Sequence, residues 1–241
     1  MSRVTPARAQ ASSPDQGTDE GLVCWLGEGV SYESAWALQR RLAERRAEGS
    51  GLDTLLLLEH EHLFTTGRRF NPEHVLLDQR RMAEMGVRLV EADRGGEVTY
   101  HGPGQLVGYP IVWLGGRGMG PRRYVQALEE VLVEALAGFG IAAGTQEGCT
   151  GVWAGGAKVA AIGVRVSGGV SSHGFALNVD PDLGYYQHIV PCGAPGLALT
   201  SMARLLGAPP NPKAVREAVR VRFAERFGLA LRSVDAAALA L

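Results

Sequence analysis

Residues 151–180, GVWAGGAKVAAIGVRVSGGVSSHGFALNVD, contain three β-like runs separated by the pairs Gly155-Gly156 and Gly168-Gly169. A Gly-Gly break supplies the positive φ angles of a two-residue hairpin turn, so the stretch predicts an antiparallel meander and not a series of βαβ units. Upstream, PRRYVQALEEVLVEALAGFG (121–140) places Tyr124, Leu128, Val131, Leu132 and Leu136 on one side of a long helix that stops at Gly140. QLVGYPIVWL (105–114), VRLVEA (87–92) and TLLLLE (54–59) read as strands, the last one buried. HEHLFTTGRRF (60–70) reads as a loop, because its apolar run is short and ends in polar and glycine residues. Asn71 as cap, Pro72 at the first helical position and Gly86 beyond the end describe one helix, and Ser31 begins another over 31–48 with Ala35, Leu38 and Leu42 on a shared face. A second helical unit is expected at 200–228.

This order predicts one α+β domain over 21–241: a mixed, largely antiparallel sheet flanked by helices, which are expected on one side. Residues 1–20 are polar and without apolar periodicity, and are expected to form a flexible tail. No linker long enough to divide the remainder is visible.

The composition narrows the function. With 241 residues, 46% of them apolar and 20% charged, the chain has the make-up of a compact folded protein. A formal net charge of -1 offers no basic field for nucleic acid and no polybasic cluster for a membrane. No apolar run approaches the length of a membrane span, and the first residues lack the apolar middle of a secretion signal, so a cytoplasmic location is expected. Cys24, Cys149 and Cys192 are too few for a disulfide framework and lack the paired spacing of a zinc site, which fits a reducing compartment.

Three segments could carry chemistry. In DRGGEVTYHGPGQLVGYP (93–110), glycines surround Arg94, Thr99, His101 and Gln105. Such a loop lets backbone N–H groups approach a ligand while the arginine and histidine bring charge and proton transfer; the plainer reading is two tight turns between strands. It matches neither a phosphate loop nor a dinucleotide fingerprint, since it leads into a strand. Lys158, one of two lysines in the chain, lies among small apolar residues in GGAKVAAIGVRV. A lysine so placed can exchange a proton near neutrality, as arginine cannot, although it could equally lay its stem on apolar surface and reach solvent. Cys192, between Pro191 and Gly193 in a loop, is the first-ranked nucleophile. Cys149, in a Gly-rich turn, ranks second, and Cys24 has the surroundings of an inert core thiol. His60 and His62 share a strand face but have no third ligand, so no metal site is assigned. His173 is at least as well explained as a hydrogen-bonded residue at a strand edge as a catalytic one, and His74 and His188 are expected at the surface.

Taken in order, RGGEVTYHGPGQ, GGAKVAAIGVRV, HGFALNVD and IVPCG closely resemble segments of the lipoyl(octanoyl) transferases, which are related to biotin and lipoate protein ligases. The likeness runs from about Gly21 to Gly228. It implies a ligase-like fold and transfer of an octanoyl group from acyl carrier protein to a lysine of lipoyl domains, those of 2-oxoacid dehydrogenase E2 subunits and of the glycine cleavage H protein. It further implies Cys192 as acyl acceptor and Lys158 as its partner. On the same basis Arg94, Gly95, Gly96, Glu97, Val98, Thr99, Tyr100 and His101, the run Ala161-Ile162-Gly163 and the run Gly174-Phe175-Ala176 would line the acyl site. His60, Arg68 and Gln105 are weaker candidates for its rim. No cofactor and no metal are expected, and a monomer is. An ATP-dependent lipoate or biotin ligase is the alternative on the same fold, and it requires no cysteine. A module that binds acylated carrier protein or lipoyl domains without turnover is the other rival, and Cys192→Ala should leave its binding intact.

Overall fold

The computed structural model describes residues 19–239. Strand β1 (Asp19–Trp25) leads through helix α1 (Tyr32–Ala47) to β2 (Asp53–Leu58). Two short strands, β3 (Leu63–Thr66) and β4 (Arg88–Glu91), flank the short helix α2 (Gln79–Glu84) and precede β5 (Thr99–His101) and β6 (Gln105–Ile111). Helix α3 (Pro121–Ala137) is followed by the meander β7 (Ala143–Gln146), β8 (Cys149–Ala154), β9 (Ala157–Ser167) and β10 (Val170–Asn178). The chain ends with α4 (Met202–Leu206), α5 (Pro212–Phe227), β11 (Leu229–Ser233) and α6 (Ala236–Leu239).

The eight-stranded sheet has the order β11-β1-β2-β6-β10-β9-β8-β7. Its β11-β1-β2 edge is parallel and every other pairing is antiparallel. Two-residue turns at Gly155-Gly156 and Gly168-Gly169, all four at positive φ, close the β8–β9 and β9–β10 hairpins. A second sheet has the order β4-β3-β5.

Strand β2 is buried throughout because both of its faces meet a core. Leu55 and Leu57 pack with Leu128, Val131 and Leu132 of α3 and Val219 and Phe223 of α5. Leu56 and Leu58 pack with Tyr32, Ala35 and Leu38 of α1. Helices therefore cover both faces, not one as expected from the order of elements; the unbroken leucine run is the signature of a strand buried on two sides. Each such leucine contributes roughly 1.5–3 kcal/mol of burial.

Three more expectations are corrected. The supposed loop at 60–70 contains β3, the fully buried middle strand of the small sheet, with Leu63 in one core and Phe64 in another. The single helix drawn over 71–86 is not continuous. The Asn71 side chain caps only one 3-10 turn, Pro72–His74, after which Val75 extends to bridge Ile189 and α2 starts behind Asp78. The expected tail also ends before residue 20, since Asp19 and Glu20 already belong to β1; its residues 1–18 lie outside those described.

Candidate active site

Lys158 enters the site as a residue of β9, paired with Trp153 of β8. Its backbone also fastens a distant segment: Lys158 N–H donates to Ala198 O at 2.8 Å, and Thr200 N–H donates to Lys158 O at 3.0 Å. Residues 197–200 thus run beside Lys158, and the turn Pro191–Gly193 just upstream brings Cys192 over it. Lys158 Nζ lies 3.0 Å from Cys192 Sγ and 3.9 Å from Cys149 Sγ. Cys192 is exposed while Lys158 is only 2% exposed, so the ammonium reaches the sulfur from beneath. Cys192 holds φ 59° and ψ 14°, a left-handed conformation that costs a non-glycine residue roughly 1–2 kcal/mol.

Room for the lysine depends on Gly151, a residue not singled out from the sequence. A Cβ there would stand 2.4 Å from Lys158 Cε and 2.5 Å from Ala160 O. Gly151 N–H donates to Glu129 Oε1 of α3 at 2.9 Å, which holds this floor in place, and the Trp153 ring centre lies 5.7 Å from Lys158 Nζ.

Cys192 and Lys158 border a cavity of about 400 Å³, within the usual range for small-molecule sites. Of the residues named from the sequence, Arg94, Gly96, Glu97, Val98, Thr99, His101, Ala161, Ile162, Gly163, Gly174, Phe175 and Ala176 border it as well. Gly95 and Tyr100 do not. Gly95 N–H donates to Val164 O at 2.9 Å, which ties the Gly-rich loop onto β9. Tyr100 turns away on β5 into the core with Phe64 and Tyr186, and its hydroxyl lies 2.8 Å from His62 Nδ1. Nor do the three rim candidates border it. His60 is buried between Val30 O and the Tyr109 hydroxyl, Gln105 donates to Tyr100 O, Asn178 and Tyr186, and it is Arg69 rather than Arg68 that borders the cavity.

The histidine rings at and behind one wall of the cavity are held toward the neutral form. Burial pushes His60 down to about 4 and His101 well below the ordinary imidazole range, so both rings are neutral at pH 7. Burial also lowers His173, against the opposing pull of Asp93. Its Nε2–H donates to Asp93 Oδ1 at 2.7 Å, and Asp93, although desolvated, stays ionised more readily than usual through His173 and Arg165. The buried Arg94 guanidinium donates to Thr65 O at 2.6 Å, Thr65 Oγ1 at 2.9 Å and Gly95 O at 3.0 Å.

Glu97 does more than border the cavity. Its carboxylate accepts from Asn71 N–H at 3.0 Å and lies 2.9 Å from His74 Nδ1. His74 O in turn accepts from Val190 N–H at 2.8 Å, and Leu76 N–H donates to His188 O at 2.9 Å. This linkage ties the Gly-rich loop to His188 and Val190, just upstream of the Cys192 turn, and His74, expected at the surface, is half-buried within it. No local pattern marks this pairing of residues 23 positions apart. His173 is buried inside β10 and not at a sheet edge. Among the described residues no group of three His, Cys, Asp or Glu side chains is placed to hold a metal ion.

Residues 31–224 match the family model of the lipoyl protein ligase A/B catalytic domain. The chain is 47% identical to an octanoyltransferase of Chloroflexus aurantiacus over 220 residues, covering 90% of this chain and 98% of the relative. It is 46% identical to an octanoyltransferase of Geobacter metallireducens over 80% of this chain and 88% of that one. In fold it is similar to a lipoate-protein ligase A bound with ATP (TM-score 0.72, 19% identity, 92% of each chain). A bi-partite lipoate protein ligase from Thermoplasma acidophilum, whose structure was determined in a study that included its E2 lipoyl domain, is similar too (TM-score 0.71, 17% identity, 92% of this chain and 91% of that one). The chain belongs to the family of lipoyl protein ligase A/B catalytic domains.

Proposed function

We infer that this chain is an acyltransferase that carries an octanoyl group through Cys192 onto a lysine of a lipoyl domain. The observation that carries the reading is the 3.0 Å contact between Lys158 Nζ and Sγ of the exposed Cys192 at the border of the cavity. The resemblance to octanoyltransferases at close to half identity supports the same activity. The donor in this reading is octanoyl-acyl carrier protein, and the acceptors are lipoyl domains of 2-oxoacid dehydrogenase E2 subunits and the glycine cleavage H protein. The chain acts as a monomer in the cytoplasm; among the described residues no helix is long and apolar enough to cross a membrane.

The chemistry follows from the pair. The Cys192 thiolate attacks the thioester carbonyl, the C–S bond of the donor breaks, and the carrier thiolate takes a proton from the Lys158 ammonium. Lys158, now neutral, accepts a proton from the incoming lysine as its nitrogen attacks the Cys192 thioester, and the amide forms as Cys192 leaves. A thioester already stores the free energy an amide needs, so the sequence of steps uses no nucleotide. Backbone N–H groups stabilise the tetrahedral oxyanion. Burying the alkyl chain contributes up to roughly 0.8 kcal/mol per methylene, or about 5 kcal/mol for octanoyl.

The test supplies two donors separately, octanoyl carrier protein and free octanoate with ATP, each with a lipoyl domain. Transfer from the carrier protein alone, lost in Cys192→Ser, supports the reading. Transfer only from octanoate with ATP, and undiminished in Cys192→Ser, makes the protein an adenylating ligase instead.

A further inference from the structure

The transfer needs one sulfur, yet two stand at the same ammonium. Lys158 Nζ lies 3.0 Å from Cys192 Sγ and 3.9 Å from Cys149 Sγ, and both cysteines border the same cavity. Each is carried at a turn. Cys149 opens β8 directly after the turn from β7, which forms the edge of the large sheet and shows a register irregularity beside that turn. Cys192 sits in an exposed turn outside any strand. Cys24, by contrast, is sealed in the core beneath α1. Burial raises the Cys149 thiol above its ordinary range, with Cys192 adding to the rise and Lys158 opposing it.

We propose that Cys149 and Cys192 form a reversible disulfide when Cys192 is oxidised by a hydroperoxide, which makes the acyl-transfer site peroxide-sensitive. The Cys192 thiolate attacks the terminal oxygen of the peroxide; an S–O bond forms, the O–O bond breaks, and the departing hydroxide or alkoxide takes a proton from the Lys158 ammonium. Lys158, left neutral, removes the Cys149 proton. The Cys149 thiolate then attacks the sulfenic sulfur, the S–S bond forms, the S–O bond breaks, and hydroxide leaves as water with the same proton. Both thiols are oxidised by two electrons in all, and one peroxide is reduced to water and an alcohol, or to two waters from hydrogen peroxide. The disulfide removes the nucleophile while sparing it from irreversible oxidation. The consequence for acyl transfer rests on the function proposed above; the cross-link itself does not.

The test treats the full chain with a several-fold molar excess of hydrogen peroxide, followed by alkylation, intact mass, peptide mapping and a transfer assay before and after a dithiol reductant. Expected are the loss of two hydrogens, a Cys149–Cys192 linked peptide, and recovery of nearly the whole initial rate. In Cys149→Ser, Cys192 should proceed to sulfinic acid, and the recovered fraction of that variant's own untreated rate should fall at least about tenfold below wild type. Wild-type Cys192 found as sulfinic acid with Cys149 still alkylatable, or equal recovery in both proteins, overturns the proposal. Absence of transfer by untreated protein refutes the proposed function instead, and leaves the cross-link readable by mass.

Discussion

Ala161 of β9 and Ala176 of β10 stand directly opposite each other, and both border the cavity beside Cys192. Residues paired in this way point to the same face, so a larger side chain at Ala161 occupies space that an acyl chain would use. Ala161→Leu adds three carbons to a cavity of about 400 Å³. If these displace two to three methylenes of the substrate, octanoyl loses about 2 kcal/mol of burial, roughly 30-fold in kcat/KM, whereas a butyryl chain loses little. The assay compares kcat/KM for octanoyl and butyryl carrier-protein thioesters in wild type and variant. Equal losses for both chains would refute the placement of the acyl group. Gly163 is a poorer site for this test. A Cβ there would lie 2.8 Å from Gly95 O, so substitution lifts the Arg94 loop instead of shortening the cavity.

Other outcomes test other parts of the account. Lys158→Arg keeps a positive charge near Cys192 but cannot give up a proton, so acyl transfer to a lysine should fall at least about a hundredfold, measured by single-turnover kinetics; a rate near wild type contradicts the proton-transfer role. Gly151→Ala places a Cβ 2.5 Å from a backbone oxygen that cannot move aside, and should cost about 1–3 kcal/mol in denaturant unfolding together with transfer activity; an unchanged midpoint and rate would show that the floor is not tight. His60, at about 4 in the folded chain against 6.5 ordinarily, binds its proton more readily when unfolded. Its contribution of about 3 kcal/mol is therefore complete above pH 6.5 and is lost as the pH falls through 4; denaturant midpoints that stay flat between these values contradict the buried neutral ring.

The legible parts of the fold were those that short-range chemistry decides. The Gly-Gly turns of the meander and the Ser31 cap of α1, where Ser31 Oγ accepts from Ser34 N–H at 3.4 Å, need no distant partner. Signals at Asn71 and Pro72 were also honoured locally, but only for one turn, because Val75 gains a strand partner in Ile189 that no window of sequence displays. β3 is too short to establish a period, and β11 is a five-residue strand just beyond the helical unit expected over 200–228. At the site, residue chemistry singled out Cys192 and Lys158, yet their meeting across 34 positions depends on the Lys158–Leu199 bridge, and only the resemblance to known transferases anticipated it. Gly151 and the Glu97–His74 link were missed because their roles are steric and tertiary, with no local signature.

The most direct measurement is rapid-quench intact mass of the protein mixed with octanoyl carrier protein and then chased with a lipoyl domain. The account predicts one octanoyl group on Cys192 that forms and decays at the rate of overall transfer. An adduct on Cys149, or transfer complete with no enzyme-bound acyl group, would contradict it.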